Sequence, residues 1–557
     1  MKRATAAALF AVFLLAILVR LLPLLRYQFW GSDFGEYYVL TRAIAEEGAL
    51  PSAYRGWGVT YPYFPGMFAL NGAFVILGAP AGIAASVLVP VIASLGVLPV
   101  FLIAARVTGD DLAGLVAAAF LAVSMFHVFP TSHGIPAALG DLLLLTSLLL
   151  FLGIRRSLRF VPLVLLAGFS VIVTHHLTAY FLILLASSAL VLRAALDRNL
   201  TLRDIQGEVT ALAVLGAATL AFWAFYATPL WTLIVQNSPA SGPVLVGGTA
   251  LAVMAAPSVL VLRRRTSWRY RPRVRTVRGA ALGAGLAFAT SVVFVIVVGT
   301  GSVPGTSLRI PLAETAPYMA MLAFVSLSAA GRRTMDLSRE GPDVTAWFVA
   351  VVASLVAGVL AAPEVLIPNR HLQYFMIPFA VLAGAGLRWL TVGTERRGRI
   401  AAASAAILLI GATAIGAYPP PGTLGHQEGI AARTVDTALW VGDHADGLVA
   451  ADHRLSSILF GFGGVDATWD REVRFWHTAD LNVTLAALSN VSTPDGRTRV
   501  DWVVVDEDLR AGVQLSPFAP ALPLLPSEEE KFATSPFHKM YDSGFSEVYL
   551  VNWGLVP

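Results

Sequence analysis

The sequence predicts a polytopic α-helical membrane protein with a small α/β domain outside the bilayer at its C-terminal end, and three observations predict it. Charged residues make up 13% of the 557 positions and hydrophobic residues 56%, against roughly 25% charged in a soluble domain. A water-soluble globular enzyme is thereby excluded. Uncharged runs close to the roughly 20 residues that carry a helix across about 30 Å of hydrocarbon recur through the first three quarters of the chain, and the mean hydropathy is +0.70. Charge is also sorted along the chain. Residues 419–557 carry 19 acidic and 9 basic side chains, and residues 1–418 carry 16 and 30.

Breaks at charged or Gly/Pro-rich stretches place thirteen spans, near 4–25, 81–105, 112–130, 136–154, 160–174, 177–193, 209–232, 243–262, 279–300, 313–331, 344–362, 371–390 and 399–418. This gives a membrane domain over 1–418 and an exported domain over 419–557. Basic loops stay on the cytoplasmic side. Arg155, Arg156 and Arg159, the run from Arg263 to Arg278, Arg332 with Arg333, and Arg396, Arg397 and Arg399 all alternate correctly if the amino terminus is inside and 419–557 outside. The 263–278 run reads as an anchoring loop near anionic lipid, not as a nucleic-acid surface. Parity then puts residues 26–80 outside as a first loop. Its apolar stretch 66–80, introduced by Pro62, Pro65 and Gly66, is too short for a span and is expected as an interfacial helix. Arg20 and Arg26 flank the first apolar run, and no small-residue cleavage site follows it. It therefore reads as an uncleaved anchor.

The tail alternates short β-branched runs (LVAAD, DWVVVDED, SEVYLVN) with helix-like and Pro/Gly segments. Asn482-Val-Thr and Asn490-Val-Ser are glycan-acceptor patterns suited to an exported surface, whereas Asn199-Leu-Thr falls in a cytoplasmic loop and is expected to stay unmodified. Lysine occurs only at Lys2, Lys531 and Lys539, and an acidic, lysine-poor outer domain suits a high-salt solvent and a halophilic archaeal source. Cysteine is absent, so disulfides, thiolate metal sites and cysteine nucleophiles are excluded.

Ionisable groups in or beside spans are costly in lipid and need a partner, water or a function. On this topology they gather on the outer side. Asp33 and Glu36 lie in the first loop, His133 and Asp141 in the second, and His175 and His176 in the third. Arg309 and Glu314 precede the tenth span, and Glu364, Arg370 and His371 lie between the eleventh and twelfth. One wet pocket beneath the outer leaflet is the expectation. The helices beside His175 and His176 are about 15 to 17 residues, roughly 22 to 26 Å, so their hairpin tip is recessed. The two imidazoles either satisfy backbone carbonyls or line a watery cavity. Asp33, after Trp30 and Gly31, either caps the helix that follows, with Glu36 closing a capping box, or deprotonates an acceptor, or holds Mg²⁺ or Mn²⁺. Arg370 with His371 either snorkels to the headgroups or grips a phosphate with its forked donors.

Three stretches resemble the GT-C glycosyltransferases, membrane enzymes that use polyprenyl-linked sugars, and within that group the catalytic subunit of archaeal oligosaccharyltransferase. They are GSDFGEYYVLTRAIAEEG, LAETAPYMA and NRHLQYFMIPFAVLAGAGL. The resemblance implies a GT-C-like fold with thirteen spans, Asp33 as the acidic residue of the first loop, Glu314 as an acceptor contact and Arg370 as a functional arginine. Two features depart from that family. PTSHGIPAALGD offers only His133 and Asp141 where two acidic residues flank one position, and no WWDYG signature occurs.

The expected activity is transfer of a sugar or glycan from a polyprenyl-phosphate donor to an exported acceptor, protein or glycan. Asp33 and Glu36 are the catalytic candidates. Arg370, His371, His175 and His176 are candidates for the donor phosphate, Glu314 for the acceptor, and Asp33 with Asp141 for a divalent metal. The rivals are an N-oligosaccharyltransferase with an altered acceptor pocket and a non-enzymatic transporter or flippase of lipid-linked sugars. Asp452, His453 and Arg454 form a polar triplet in the tail, read as part of a lid or docking module and not as catalytic.

Overall fold

The computed structural model describes residues 2–51, 54–197, 199–237, 259, 319–335, 340–361, 363–391, 396–418, 427–469, 475–493, 496–514 and 522–556. Seven of the described helices are long and apolar enough to cross a membrane: Arg3–Leu25, Ala81–Thr108, Pro136–Ile154, His176–Leu196, Leu202–Tyr226, Gly341–Leu360 and Pro368–Thr391. Apart from residue 259, the expected spans at 243–262 and 279–300 lie outside the described residues. The expected span 112–130 is a broken pair, Asp111–Val123 and Met125–Ser132, bent by 56°. Asp110 caps its start by accepting from the Leu112 N–H at 2.8 Å. Ser124 adopts extended backbone (φ −68°, ψ 122°) at the break, and Pro130 removes a helical donor in the second half. Gly66–Ile76 is an eleven-residue helix, about 16 Å long and so too short to cross.

Two compact units emerge, one of 1–20 with 90–418 and one of 21–89 with 419–557. The expected boundary at 418 is thus one of three places where the chain passes between units, and the first loop packs with the tail.

The helical unit is held by backbone-close packing. A Cβ on Gly386 would lie 2.0 Å from the Leu327 carbonyl oxygen and one on Gly384 would lie 2.1 Å from that of Ala113, so the AGAG stretch lets three helices meet at van der Waals distance. Arg155 does not serve simply as a surface anchor. Its side chain is 8% exposed and binds Asp343 through two hydrogen bonds, of 2.6 and 2.8 Å, and Glu208 at 3.0 Å. Glu208 also accepts from Arg193 at 2.6 Å. Burying these charges is tolerable because each carboxylate has a partner.

The second unit carries the expected α/β domain. Its four-stranded sheet runs in the order Leu448–Ala450, Val500–Asp506, Ser546–Val551, Phe537–Asp542. The first pair is parallel and the others antiparallel. The β-branched runs read from sequence are three of these strands, and Val503, Val504, Val505 and Val548 are fully buried with Trp476 and Phe532. The buried Lys531 ammonium donates to the carbonyls of Phe475, Trp476 and Thr478, pinning the loop beside this core. Asn482 and Asn490 are both exposed. The first loop joins this unit through an antiparallel pairing of Phe29–Trp30 with Gly429–Ile430.

Candidate active site

The helix Phe34–Glu47 crosses the segment His453–Gly463 at backbone contact. A Cβ on Gly35 would fall 1.8 Å from the Ser457 carbonyl oxygen, and one on Gly461 would fall 2.5 Å from the Gly35 Cα. Only glycine permits that approach. Phe29, Phe34, Tyr38 and Phe462 stack around the crossing, with Phe29 and Phe34 centroids 4.2 Å apart and Tyr38 and Phe462 4.3 Å apart. The Gly35 N–H donates to the Ser457 hydroxyl at 3.0 Å.

This crossing delivers Asp33 to His453, 420 residues along the chain, with Asp33 Oδ1 and His453 Nε2 at 2.8 Å. The other oxygen, Oδ2, accepts from the hydroxyls of Tyr37 at 3.3 Å and Tyr61 at 3.2 Å. Asp33 occupies the cap position of its helix, yet its side chain makes no capping hydrogen bond. Its side chain is 21% exposed, whereas His453 is sealed between Trp57, ring centroid 4.9 Å away, and Trp469, 5.8 Å away. Burial acts to raise the Asp33 pKa, but the hydrogen bond and charge of His453, helped by Tyr61, outweigh it and hold the carboxyl below its ordinary value.

Glu36 is not the reciprocal half of a capping box. It is fully buried and accepts from the Gly58 N–H at 3.0 and 3.2 Å, so it fastens the turn that presents Trp57 and Tyr61. Burial, reinforced by the negative charge of Asp33, pushes its pKa up to about 8. One helical turn thus holds two carboxyls of opposite protonation at neutral pH, an open ionised one and a closed protonated one.

Next to His453 stands a separate pair. Arg454 NH2 donates to both oxygens of Asp506 at 2.8 Å, and both residues are sealed, at 1% and 0% exposure. Asp506 also caps Glu507–Ala511 by accepting from the Leu509 N–H at 2.7 Å. Asp452 caps His453–Ile458 through the Leu455 N–H at 2.9 Å and accepts from the Gln514 N–H at 3.1 Å. The polar triplet is therefore three devices, and its histidine, read from sequence as non-catalytic, belongs to the candidate site. The sequence signal was there in DHR opening a helix; its partner was not.

In the helical unit, His175 caps His176–Leu196, accepting from the Thr178 N–H at 3.3 Å with its ring against the Thr178 hydroxyl at 2.8 Å. It does not turn to backbone carbonyls. Its ring lies 4.9 Å from that of His176, and the Arg370 charge acts on both imidazoles. Thr178 hydrogen-bonds the Tyr374 hydroxyl at 2.9 Å. His371 is fully buried with Nε2 2.8 Å from the Ser354 hydroxyl, so it props this region from within. Arg370, His175 and His176 therefore lie within electrostatic reach of one another in this unit. Asp141 is 1% exposed and is held by His127 Nε2 at 2.6 Å, whose Nδ1 meets Arg20 at 2.8 Å. Among the described residues no group of three or more His, Asp or Glu side chains converges as a metal site. Glu314 lies outside the described residues.

No family model matches the sequence, and no curated protein matches it. Among solved structures, ArnT from Cupriavidus metallidurans, bound to undecaprenyl phosphate, aligns over 100% of both chains with 13% identity and a TM-score of 0.36. The arabinofuranosyltransferase AftD from Mycobacteria, as an R1389S mutant, aligns over 99% of this chain and 42% of its own, with 15% identity and a TM-score of 0.43. Likenesses of this size carry no inference about chemistry.

Proposed function

We propose that the chain is a GT-C glycosyltransferase that moves a sugar from a polyprenyl-phosphate donor to an acceptor on the outer side of the membrane, with the amino terminus inside and 419–557 outside. The observation that carries this reading is the Asp33 carboxylate: ionised, partly open to solvent, and fixed by one imidazole and two phenols. In the reaction Asp33 takes the proton from the acceptor's nucleophilic atom as that atom bonds to the anomeric carbon. The bond from that carbon to the phosphate oxygen breaks, and the phosphate leaves with the electron pair. A positioned base contributes about 10² to 10⁴ in rate. His453 orients Asp33 and keeps it ionised, and Glu36 holds the Trp57–Tyr61 turn in place.

Arg370, with His175 and His176, would hold the donor phosphate, since forked guanidinium donors and a fixed positive charge stabilise a departing phosphate. His371 would set the start of its helix. Glu314 enters only through the motif resemblance, as an acceptor contact. Asp33 and Asp141 are each already engaged by imidazole, so no step is routed through Mg²⁺ or Mn²⁺, and unchanged transfer after chelation is the expected outcome.

The test is transfer of labelled sugar from a polyprenyl-phosphate donor by the full-length protein in lipid nanodiscs, with the exported glycoproteins and glycolipids of a gene-deletion strain read by mass spectrometry. Asp33→Asn should abolish transfer while leaving the protein in the membrane; full activity in that variant removes Asp33 from the mechanism. Transfer to a sequon peptide would favour the N-oligosaccharyltransferase reading. Sugar-lipid movement without any transfer would favour a flippase.

A further inference from the structure

Within the second unit a cleft of about 500 Å³ is lined by Arg55, Asp446, Asp466, Trp469, Thr493 and Thr498. Its wall is built on the sheet. Residues 466–468 run beside the strand Leu448–Ala450 as an added parallel rung, with the Val449 N–H donating to the Asp466 carbonyl and the Thr468 N–H to the Val449 carbonyl, both at 3.0 Å. The hairpin of Val491–Thr493 and Gly496–Thr498 supplies the two threonines. Arg55 and Asp466 face each other at 3.5 Å with about half of each side chain exposed, 56% and 51%.

Trp469 connects this cleft to the reactive carboxylate. It lines the cleft, and its ring also lies 5.8 Å from that of His453, the residue bonded to Asp33. Its backbone sits at φ 58°, a region costly for a bulky side chain. The Ser456 hydroxyl holds it there by accepting from the Trp469 N–H at 3.0 Å. Conformations of this kind persist where the surroundings over-determine them, often at functional sites.

The volume lies in the range of ligand pockets. Its lining offers two carboxylates, one guanidinium and two hydroxyls; of its larger apolar side chains Leu448 and Trp469 are buried, at 5% and 2% exposure, and Val465 is half-buried, so the polar groups dominate what a ligand would meet. A peptide would be recognised through apolar pockets or a free strand edge. Carboxylates and hydroxyls that accept and donate around a neutral, hydroxyl-covered chain suit a saccharide. We propose that this cleft seats the acceptor as an oligosaccharide, and that Trp469 is a positioning residue linking the filled cleft to His453 and so to Asp33. This rests on the glycosyltransferase reading above.

The experiment uses the full-length protein in nanodiscs against an array of neutral gluco-, galacto- and manno-oligosaccharides, with an Asn-Val-Thr peptide as counter-probe. The expected result is retention of at least one oligosaccharide series over the peptide. Asp466→Asn and Arg55→Ala should each weaken it about tenfold or more, and Asp33→Asn should leave it unchanged. Trp469→Phe should lower kcat and shift the pH profile of transfer with little change in oligosaccharide binding. No oligosaccharide binding, preference for the peptide, or binding indifferent to both cleft variants would overturn the cleft assignment. A Trp469→Phe enzyme with unaltered kcat and pH profile would overturn the positioning role. Binding without any sugar transfer would sink the glycosyltransferase reading and leave the cleft standing, and transfer without oligosaccharide binding would do the reverse.

Discussion

His453 and Arg454 are neighbours in sequence, and each meets an aspartate, but the two pairs do opposite work. Arg454 and Asp506 are both sealed and the carboxylate also caps a helix, so that pair fixes the domain and offers nothing to a substrate. Of His453 and Asp33 only the imidazole is sealed, and the carboxylate keeps 21% of its side chain open. Burial, rather than the chemistry of the pair, separates a structural bridge from a candidate base.

The sharpest way to break this comparison is Arg454→Met. Leaving Asp506 charged and unpaired in the core should cost about 3–5 kcal/mol, seen as loss of the folded protein in thermal unfolding of the detergent-solubilised chain. The Arg454→Met, Asp506→Leu double variant should recover most of it. Asp33→Asn should lower the melting temperature far less than Arg454→Met does and lower transfer by about 10² to 10⁴. An equal loss of stability in Arg454→Met and Asp33→Asn would erase the distinction.

His453→Gln should come next, lowering kcat by about 10- to 100-fold, as expected for one hydrogen bond to a charged group. It should also move the acid limb of the pH–rate profile upward. The sign follows from the shift at Asp33, which lies below its ordinary value because of His453. Without that partner burial dominates, and the carboxylate protonates at higher pH. The stability from Asp33 in the native protein is present above the unfolded carboxyl pKa and lost as pH falls through the lowered folded value.

Glu36→Gln should have the smallest effect on transfer, a few-fold at most, since the native side chain is already protonated at neutral pH. Its signature is in stability. With a folded pKa near 8 against an ordinary 4.5, Glu36 binds more protons folded than unfolded. Its stabilising contribution is full below about pH 4.5 and declines as pH rises toward about 8. Glutamine should flatten the fall in melting temperature across that window; an unchanged slope would show that Glu36 is ionised in the fold.

Much of the fold was legible because membrane insertion and strand burial act residue by residue. The runs 136–154 and 160–174 are helices over the bounds read from composition alone, and LVAAD, DWVVVDED and SEVYLVN are strands because their β-branched residues fill one core. The break at Ser124 was not legible, since an extended serine inside an apolar run leaves the hydropathy unchanged. Asp33 and Glu36 were picked out, but a helix cap, a capping box and a reactive carboxylate share one local sequence.

What the sequence determined by itself is therefore the inventory: apolar helices, an acidic α/β tail, and polar residues too costly to stand beside lipid without a reason. What only the tertiary structure decided is which carboxyl is open and which closed, and that Asp33 answers to His453, Tyr37 and Tyr61 in place of its own helix. Periodicity and transfer free energy are local sums that a reader of residues can carry out. A pKa and a hydrogen-bond partner depend on what folding brings within about 3 Å, and here that came from glycines at 35 and 461 letting two distant segments touch.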